Sequence, residues 1–507
     1  MRSWVKAAAA ALAVLISPVA GAEPYVLLEP VRGTDGRPLT RPGPGGADLP
    51  VLKRSADSPV AQAALRVLAT GFSARLPAID AAAREAARTK PSCPGLPQAV
   101  YVLLSDEDGG YARQGFFVED GARASLCEDH FIDITADMGS IADGAFEEVL
   151  AHEWGHVLLR RLWGPVPPTP SRKFHSVRTV TDPVTAFDEG LGAHLQPLSA
   201  RMTATPGYRA RVDGTAPPVP ADLWFSRQET WMRQALVPQN RFVFEKIVTA
   251  GHSDAYRRWL ADEASADMDP CRLKSGDQMV ASEGVVASFL YKWLAGDAER
   301  VEARYRQLVS VLAAMGTWPR DDAPVIAFVR AWGAAFPDER DGITRLFLSV
   351  THGATASREA RALDERVACA GASGEIEAFL EARGRSRAAQ DRLAAEVLAG
   401  RVALDAALGP GLWIANPAVK TGAAPWMGKR DLPVVVDLNT AREAELELAF
   451  SGTPLAGSAA RIVEARQAGP FSGAGDLAAR AGLRGEEPAA LAAAEEHARR
   501  IGPATRR

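Results

Sequence analysis

The sequence is poor in the residues that most often bind metals or form covalent cross-links. Among 507 residues there are only eight histidines and four cysteines. None of the cysteines is spaced as C-x-x-C, which argues against a cysteine zinc site or a redox dithiol. Basic and acidic residues nearly balance, 58 against 62, and the net charge of −4 therefore creates no overall basic field for nucleic acid or acidic membranes.

The sequence also lacks a hydrophobic run long enough to span a bilayer. The N-terminal apolar stretch, residues 7–16, is shorter than the roughly 20 residues that a spanning helix needs. Arg2 and Lys6 precede it, and the small residues Ala20-Gly21-Ala22 follow it. This order is typical of a secretory signal peptide, so we expect cleavage after residue 22 and a periplasmic or secreted protein without a transmembrane segment.

An even number of cysteines in an exported protein favours two disulfides. Proximity along the chain favours the pairs Cys93–Cys127 and Cys271–Cys369, which is one of three possible pairings.

Hydrophobic periodicity divides the chain and predicts an α+β fold that is mostly helical. Short runs rich in β-branched and aromatic residues, at 99–104, 115–120 and 130–138, predict a small β-sheet. Helical periodicity resumes at Phe146 and stops at the Gly- and Pro-rich stretch 164–170, and it returns to dominate the C-terminal lobe of the main domain. The expected organisation is a signal peptide (1–22), an extended leader (23–59), a main domain (60–407), a linker (408–433) and a separate small all-α module (434–502).

The stretch "AHEWGH", residues 151–156, carries the clearest chemical signal. Histidines four residues apart lie on one face of a helix, about 5–6 Å apart at Cβ, and can reach one zinc ion. Glu153 then lies beside the open coordination position, where a carboxylate can act as a general base toward water. The motif therefore predicts His152 and His156 as metal ligands and Glu153 as the catalytic residue.

A second stretch, "DEGLGAH" at 188–194, follows downstream. Together with "HEWGH" it resembles the gluzincin group of zinc metallopeptidases over residues 146–195. The resemblance implies one zinc ion per chain and a third ligand, Glu189, on the next helix. Its neighbour Asp188 lies about 100° away around that helix and is expected to be an exposed or first-turn residue. It also implies that Gly190 and Gly192 allow the two helices to approach closely.

Three further residues are weaker candidates. His194 is a possible partner of a metal ligand or a substitute ligand, and a surface or capping role is equally open. Tyr291 is a possible oxyanion donor or a core tyrosine. Glu283 stands at the start of an apolar helix, where the helix dipole favours a carboxylate.

Residues 436–483 contain "VDLNTA", "RIVEAR" and "GPF". This pattern resembles the tandem helix-hairpin-helix module of ComEA-type DNA-uptake proteins. In that family, glycine hairpins offer backbone N–H groups to a DNA phosphate. The hairpins here have lost glycines, so a helical interaction module is the preferred interpretation over DNA binding.

These features predict an exported zinc metallopeptidase that hydrolyses peptide or protein substrates. Two alternatives remain open on the sequence. One is a non-enzymatic DNA- or envelope-binding protein with a metallopeptidase-like scaffold. The other is a zinc hydrolase of a non-peptide amide, such as a cell-wall component. The sequence does not decide whether residues 23–59 act as a pro-segment.

Overall fold

The computed structural model describes most of residues 23–501. Residues outside the description are the two ends (1–22 and 502–507), four longer segments (168–181, 213–278, 352–375 and 422–431) and a few shorter ones (56, 89, 107–108, 122, 297–298, 320–321, 406, 408–411, 440, 442 and 470). The predicted signal peptide, Cys271 and Cys369 all lie outside the described residues. Within the described part, no helix is both long and apolar enough to cross a membrane.

Six strands form the N-terminal part of the described chain. Their bounds are β1 (Tyr25–Pro30), β2 (Thr40–Pro42), β3 (Asp48–Arg54), β4 (Val100–Ser105), β5 (Gly110–Asp120) and β6 (Arg123–Thr135). The sheet has the order β1-β4-β6-β5-β3-β2, and β1 also pairs with β3. The extra pairing closes five of the strands into a ring, with β2 attached to β3 on its outside edge.

The two faces of this ring belong to different cores, because side chains alternate along a strand. Val26 and Leu28 of β1 join one apolar cluster with Phe116 and Phe131. Tyr25 and Leu27 of the same strand join the larger cluster that contains the helices. The ring is therefore packed on one face by its own side chains and on the other by the helical layer.

The prediction that residues 23–59 form an extended leader is wrong. This segment forms β1, β2 and β3, and β1 lies between β3 and β4. Its glycines and prolines concentrate in the turns between these strands, and they obscured the short apolar runs "YVLL" and "VL" in the sequence. The main domain thus begins at β1 rather than at residue 60.

Helices make up most of the rest of the main domain where the structure describes it, as the sequence predicted. They are α1 (Pro59–Leu68), α2 (Leu76–Ala86), α3 (Met138–Asp143), α4 (Ala145–Trp163), α5 (Pro183–Ala193), α6 (Leu195–Met202), α7 (Pro206–Val212), α8 (Glu283–Leu294), α9 (Val301–Met315), α10 (Pro324–Ala335), α11 (Arg340–Val350) and α12 (Ile376–Leu398). A single large apolar cluster runs from β1 through these helices to Ala407.

The structure contains the predicted disulfide between Cys93 and Cys127. Cys127 lies on β6, and Cys93 lies in the loop that precedes β4. Both side chains pack with the apolar cluster inside the ring of strands. The disulfide therefore fastens this loop to the ring.

The C-terminal module has its own apolar core and is not all-α. It begins with two antiparallel strands and continues with four helices: β7 (Trp413–Thr421), β8 (Leu432–Asp437), α13 (Glu443–Phe450), α14 (Ala459–Ala465), α15 (Ala474–Arg480) and α16 (Glu487–Ile501). Much of the predicted linker 408–433 therefore belongs to the module. Leu412 and Ile414 are buried in the module core, which explains why this segment is structured.

Two asparagines tie separate parts of the module together. Asn416 on β7 donates hydrogen bonds to the carbonyls of Ala449 (2.8 Å) and Ser451 (3.0 Å), at the end of α13. Asn439 donates to the carbonyl of Phe471 (3.1 Å) and accepts from its N–H (2.6 Å). The second pair joins the "DLNTA" and "GPF" stretches, which are far apart in the sequence.

A fragment of residues 412–501 is expected to fold as a cooperative unit, and a fragment of 433–501 is not. The shorter fragment loses the buried Leu412 and Ile414 and the hydrogen bonds of Asn416. Each buried aliphatic side chain contributes about 1.5–3 kcal/mol, a large part of the stability of a small domain. Thermal unfolding followed by circular dichroism checks this, and equal melting temperatures for the two fragments would contradict it.

Candidate metal centre

The helix that carries the HExxH motif, α4, has the extent that the sequence predicted. It begins after Gly144, whose φ is +86°, and ends at Gly164. Glu147 and Glu148 lie in its first turn, and Arg160 and Arg161 in its last, as the helix dipole favours. The helix is buried on most sides, so the side chains of each of its faces have defined neighbours.

Three side-chain atoms of α4 and α5 converge on one point. The Nε2 atoms of His152 and His156 lie 3.1 Å apart. The Oε2 atom of Glu189 lies 3.4 Å from each of them. The sequence named these three residues as ligands, and the structure brings their ligand atoms together.

Asp188 lies behind this group of atoms. Its Oδ1 accepts a hydrogen bond from Nδ1 of His156 at 2.9 Å, and its side chain is fully buried. In the neutral ring, an N–H at Nδ1 places the lone pair of His156 on Nε2, which faces His152 and Glu189. Asp188 thus fixes the tautomer and the ring orientation of His156, which is the usual task of a carboxylate beside a metal-binding histidine.

The expectation that Asp188 is an exposed or first-turn residue is therefore wrong. Asp182, not Asp188, caps α5, because its side chain accepts hydrogen bonds from the N–H groups of Val184 and Thr185, both at 2.9 Å. The sequence pattern alone could not separate the roles of Asp188 and Glu189, because both lie in the same apolar helix.

The carboxylate of Glu153 lies beside the ligand group, and its atoms come within 4.8 Å of those of His152 and His156. A side chain built at Gly110, the first residue of β5, would be 3.0 Å from Cγ and 3.1 Å from Oε1 of Glu153. Within the described part of the chain, Glu153 makes no hydrogen bond to protein. Its carboxylate is therefore held in place by packing and keeps its oxygens for another partner.

Helices α4 and α5 cross at two glycines. A Cβ at Gly155 would lie 3.0 Å from Cα of Gly192, and a Cβ at Gly192 would lie 2.9 Å from Cε1 of His152. The predicted role of Gly192 in close helix approach is confirmed. Gly190, by contrast, faces α8, where a Cβ would lie 2.8 Å from Cβ of Val286.

Replacing Gly192 by Ala is expected to weaken zinc binding by about tenfold or more, a loss typical of a displaced ligand ring. The new methyl group would collide with the imidazole of His152 and push its Nε2 out of the group. Gly384→Ala is the matched control, because nothing lies within 4 Å of that position on α12. A zinc competition titration and a melting curve on both variants check this, and wild-type zinc affinity in Gly192→Ala would contradict it.

A buried ion network holds the opposite face of α4. At about 100° per residue, Trp154 and Arg161 point roughly 180–200° away from His152. Arg161 pairs with Asp80 of α2 and with Asp129 of β6, and Arg84 pairs with the same two aspartates. Burial would raise the pKa of Asp129, but the two arginines outweigh it and lower that pKa.

The sequence did not indicate this network. Asp80 and Arg84 have the i,i+4 spacing of a helix ion pair, which was the one available signal. Asp129 and Arg161 are distant in the sequence and meet only because α4 packs against β6. The network sets the orientation of α4 and so of the metal ligands it carries.

The weaker candidates lie outside the group of ligand atoms. His194 is fully buried, and its Nε2 hydrogen-bonds the hydroxyl of Tyr305 at 2.6 Å. Burial lowers the pKa of His194 to about 3, so its ring is neutral. Tyr291 packs against Ala193, and Glu283 is a buried first-turn residue of α8.

No protein-family model, no curated protein and no solved structure matches this chain. The resemblances to gluzincins and to ComEA-type modules therefore remain predictions from the sequence.

Proposed function

We propose that this protein is a zinc-dependent metallopeptidase with one zinc ion per chain. The observation that carries the proposal is the triangle formed by two imidazole nitrogens and one carboxylate oxygen, with sides of 3.1, 3.4 and 3.4 Å. Ligand atoms about 2.0–2.1 Å from a tetrahedral zinc ion lie about 3.3 Å apart, close to these values. His152, His156 and Glu189 would hold the ion and leave a fourth position for water or substrate.

The donor set also fits zinc in its chemistry. Two histidines and one glutamate with an open position is a known set for catalytic zinc. When bound, zinc supplies a Lewis acid that acidifies water and polarises a carbonyl group. A structural zinc site would instead have four protein ligands.

The residues of the chain supply the proton chemistry. Glu153 lies next to the ligand group but outside the triangle, so its carboxylate can take up the proton of an attacking water. It can then pass this proton to the departing amine. Asp188 holds His156 in place throughout and takes no part in the transfer.

The strand β5 supports a peptide as the substrate. Its first residue, Gly110, packs against Glu153, so the start of the strand passes beside the proposed general base. The pairing of β5 with β3 begins only at Phe117, so residues 110–114 form a short edge beside β6. An extended peptide can add to such an edge through backbone hydrogen bonds. The scissile bond would then lie close to Glu153.

Metal analysis of purified protein together with a casein and peptide-library assay tests the proposal. We expect about one zinc per chain and hydrolysis that stops with a chelator and returns with zinc. Stoichiometric zinc without hydrolysis of any peptide would refute the peptidase assignment, and a protein that binds no zinc would refute the metal site.

Zinc affinity is expected to rise with pH across the neutral range. Burial lowers the pKa of His156, but the carboxylates of Asp188 and Glu189 outweigh burial and raise it well above its ordinary value. A proton therefore occupies metal-free His156 and competes with zinc until the pH exceeds this pKa.

The expected change is up to tenfold in Kd per pH unit, since one proton is displaced. Competition titrations with a chelator of known pH dependence, between pH 6 and 8.5, measure it. Asp188→Asn should flatten the curve because it removes a carboxylate that stabilises the proton. An affinity independent of pH in the wild type would contradict the prediction.

For the C-terminal module we propose an interaction role rather than DNA binding. Arg461 donates to the carbonyls of Ala481 and Gly482 and pairs with Glu487. Arg480 donates to the carbonyls of Ala465 and Gly469. These arginines hold the hairpins together, so they are not available to neutralise phosphates.

A further inference from the structure

Two neighbouring arginines at the end of α4 have opposite surroundings. Arg161 is buried and paired with both Asp80 and Asp129. Arg160 is only partly buried, and its Nη1 donates to the carbonyl of Ala112 on β5. Among the described residues, Arg160 has no carboxylate partner. The positive charge of Arg161 is thus balanced by acidic partners, whereas the positive charge of Arg160 is not balanced by a carboxylate of the described residues.

Arg160 lies on the face of α4 that carries the proposed site. At about 100° per residue, it points roughly 40° from His156 and 20° from Glu153 around the helix axis. It follows His156 by one helical turn. Its charge is therefore placed beyond Glu153 and the two histidine ligands along the same face of α4.

The hydrogen-bond partner of Arg160 lies on the strand that passes beside the proposed site. Residues 110–114 of β5 pair with β6 on one side, whereas the pairing of β5 with β3 begins only at Phe117. Over this first part of β5, Glu153 lies against Gly110, and Arg160 donates to Ala112. An extended peptide on this edge would run from the general base toward the guanidinium.

We propose that Arg160 binds a carboxylate of the substrate and makes the enzyme selective for acidic peptides, an inference that rests on the proposed peptidase function. A guanidinium has five N–H donors, and one of them is used by Ala112. The remaining donors can take a carboxylate in a two-point hydrogen-bonded pair. The carboxylate comes from an Asp or Glu side chain near the scissile bond or from the end of the peptide chain.

The test uses zinc-loaded full-length protein and fluorogenic peptides that differ in one group. One pair carries Glu or Gln upstream of the scissile bond, a second carries Glu or Gln downstream, and a third has a free or an amidated C-terminus. We expect kcat/KM to favour the carboxylate member of one pair by about 10- to 100-fold, as for a charged hydrogen-bonded pair. The pair that responds identifies the source of the carboxylate.

Arg160→Gln should bring the ratio of kcat/KM values for the two peptides of the responding pair to about one. Arg160→Lys should keep part of this preference because the charge remains. Arg345→Gln is the matched control, since Arg345 lies on α11, outside the proposed site, and pairs with Asp341. It should leave the ratio as in the wild type. Melting curves establish that the variants fold.

Equal ratios in wild type and Arg160→Gln, or no preference in the wild type, would overturn the proposal for Arg160 alone. If no peptide is cleaved, the peptidase function fails instead. The same peptide pairs, labelled for anisotropy and bound to zinc-loaded Glu153→Gln protein, then test Arg160 by affinity. In that assay a Glu-over-Gln preference that is lost with Arg160→Gln supports the inference, and its absence refutes it.

Discussion

Glu189→Ala is expected to remove zinc and peptide hydrolysis together. The Oε2 atom of Glu189 is one of the three proposed ligand atoms, 3.4 Å from Nε2 of both histidines. Losing a direct ligand should weaken zinc binding by more than the 10- to 100-fold that loss of a supporting carboxylate costs. Zinc content by mass spectrometry and a chelator competition titration measure the effect, and His156→Ala should give a comparable loss.

Asp188→Asn is the informative comparison, because Asp188 and Glu189 are neighbours on α5 with different tasks. Asp188 contacts Nδ1 of His156 at 2.9 Å, whereas Nε2 is the nitrogen directed at His152 and Glu189. We therefore expect a loss of about 10- to 100-fold in zinc affinity, with the site still fillable at high zinc. If Asp188→Asn loses zinc more severely than Glu189→Ala, the roles of the two acids are reversed and the ligand assignment is wrong.

Glu153→Gln should abolish most hydrolysis while zinc stays bound. The side chain lies beside the ligand triangle, and glutamine keeps its size but cannot accept a proton. Loss of a general base typically lowers kcat by about 10²–10⁴-fold. Steady-state kinetics on the best peptide substrate, with zinc content measured on the same sample, check the prediction.

Glu302→Gln serves as the control, because Glu302 is a partly exposed residue of α9 that pairs with Arg306. It should keep wild-type activity and zinc. Wild-type kcat in Glu153→Gln would exclude Glu153 as the base. Loss of zinc from that variant would instead make Glu153 a ligand.

Local sequence patterns predicted the helices and strands whose structure depends mainly on residues close together in the sequence. The bounds of α4 followed from helical periodicity and the glycine at 164, and the spacing of His152 and His156 follows from the helix itself. The strands β4, β5 and β6 lie where β-branched and aromatic runs occur. The resemblance to gluzincins added Glu189, which periodicity could not single out.

The features that the sequence missed depend on contacts between distant residues. The hydrogen bond between Asp188 and His156 joins two helices, and the network of Asp80, Asp129 and Arg161 joins two helices and a strand. The strands β1, β3 and β7 lie in segments rich in Gly and Pro, where the signals for turns outnumber the short apolar runs. Their structure comes from pairing with strands far along the chain.

The position of β1 in the closed ring bears on how the protein could be kept inactive before it reaches its place of action. Many secreted hydrolases are held latent by an N-terminal segment that proteolysis later removes. Here the N-terminal strand lies between β3 and β4, and its Val26 and Leu28 fill the centre of the ring. Removing β1 would break its pairing with both β3 and β4 and expose the apolar interior of the ring. This ring belongs to the same domain as the HExxH helix. Residues 25–54 are therefore an integral part of the main-domain fold, and their removal is expected to unfold the ring rather than to uncover an intact site.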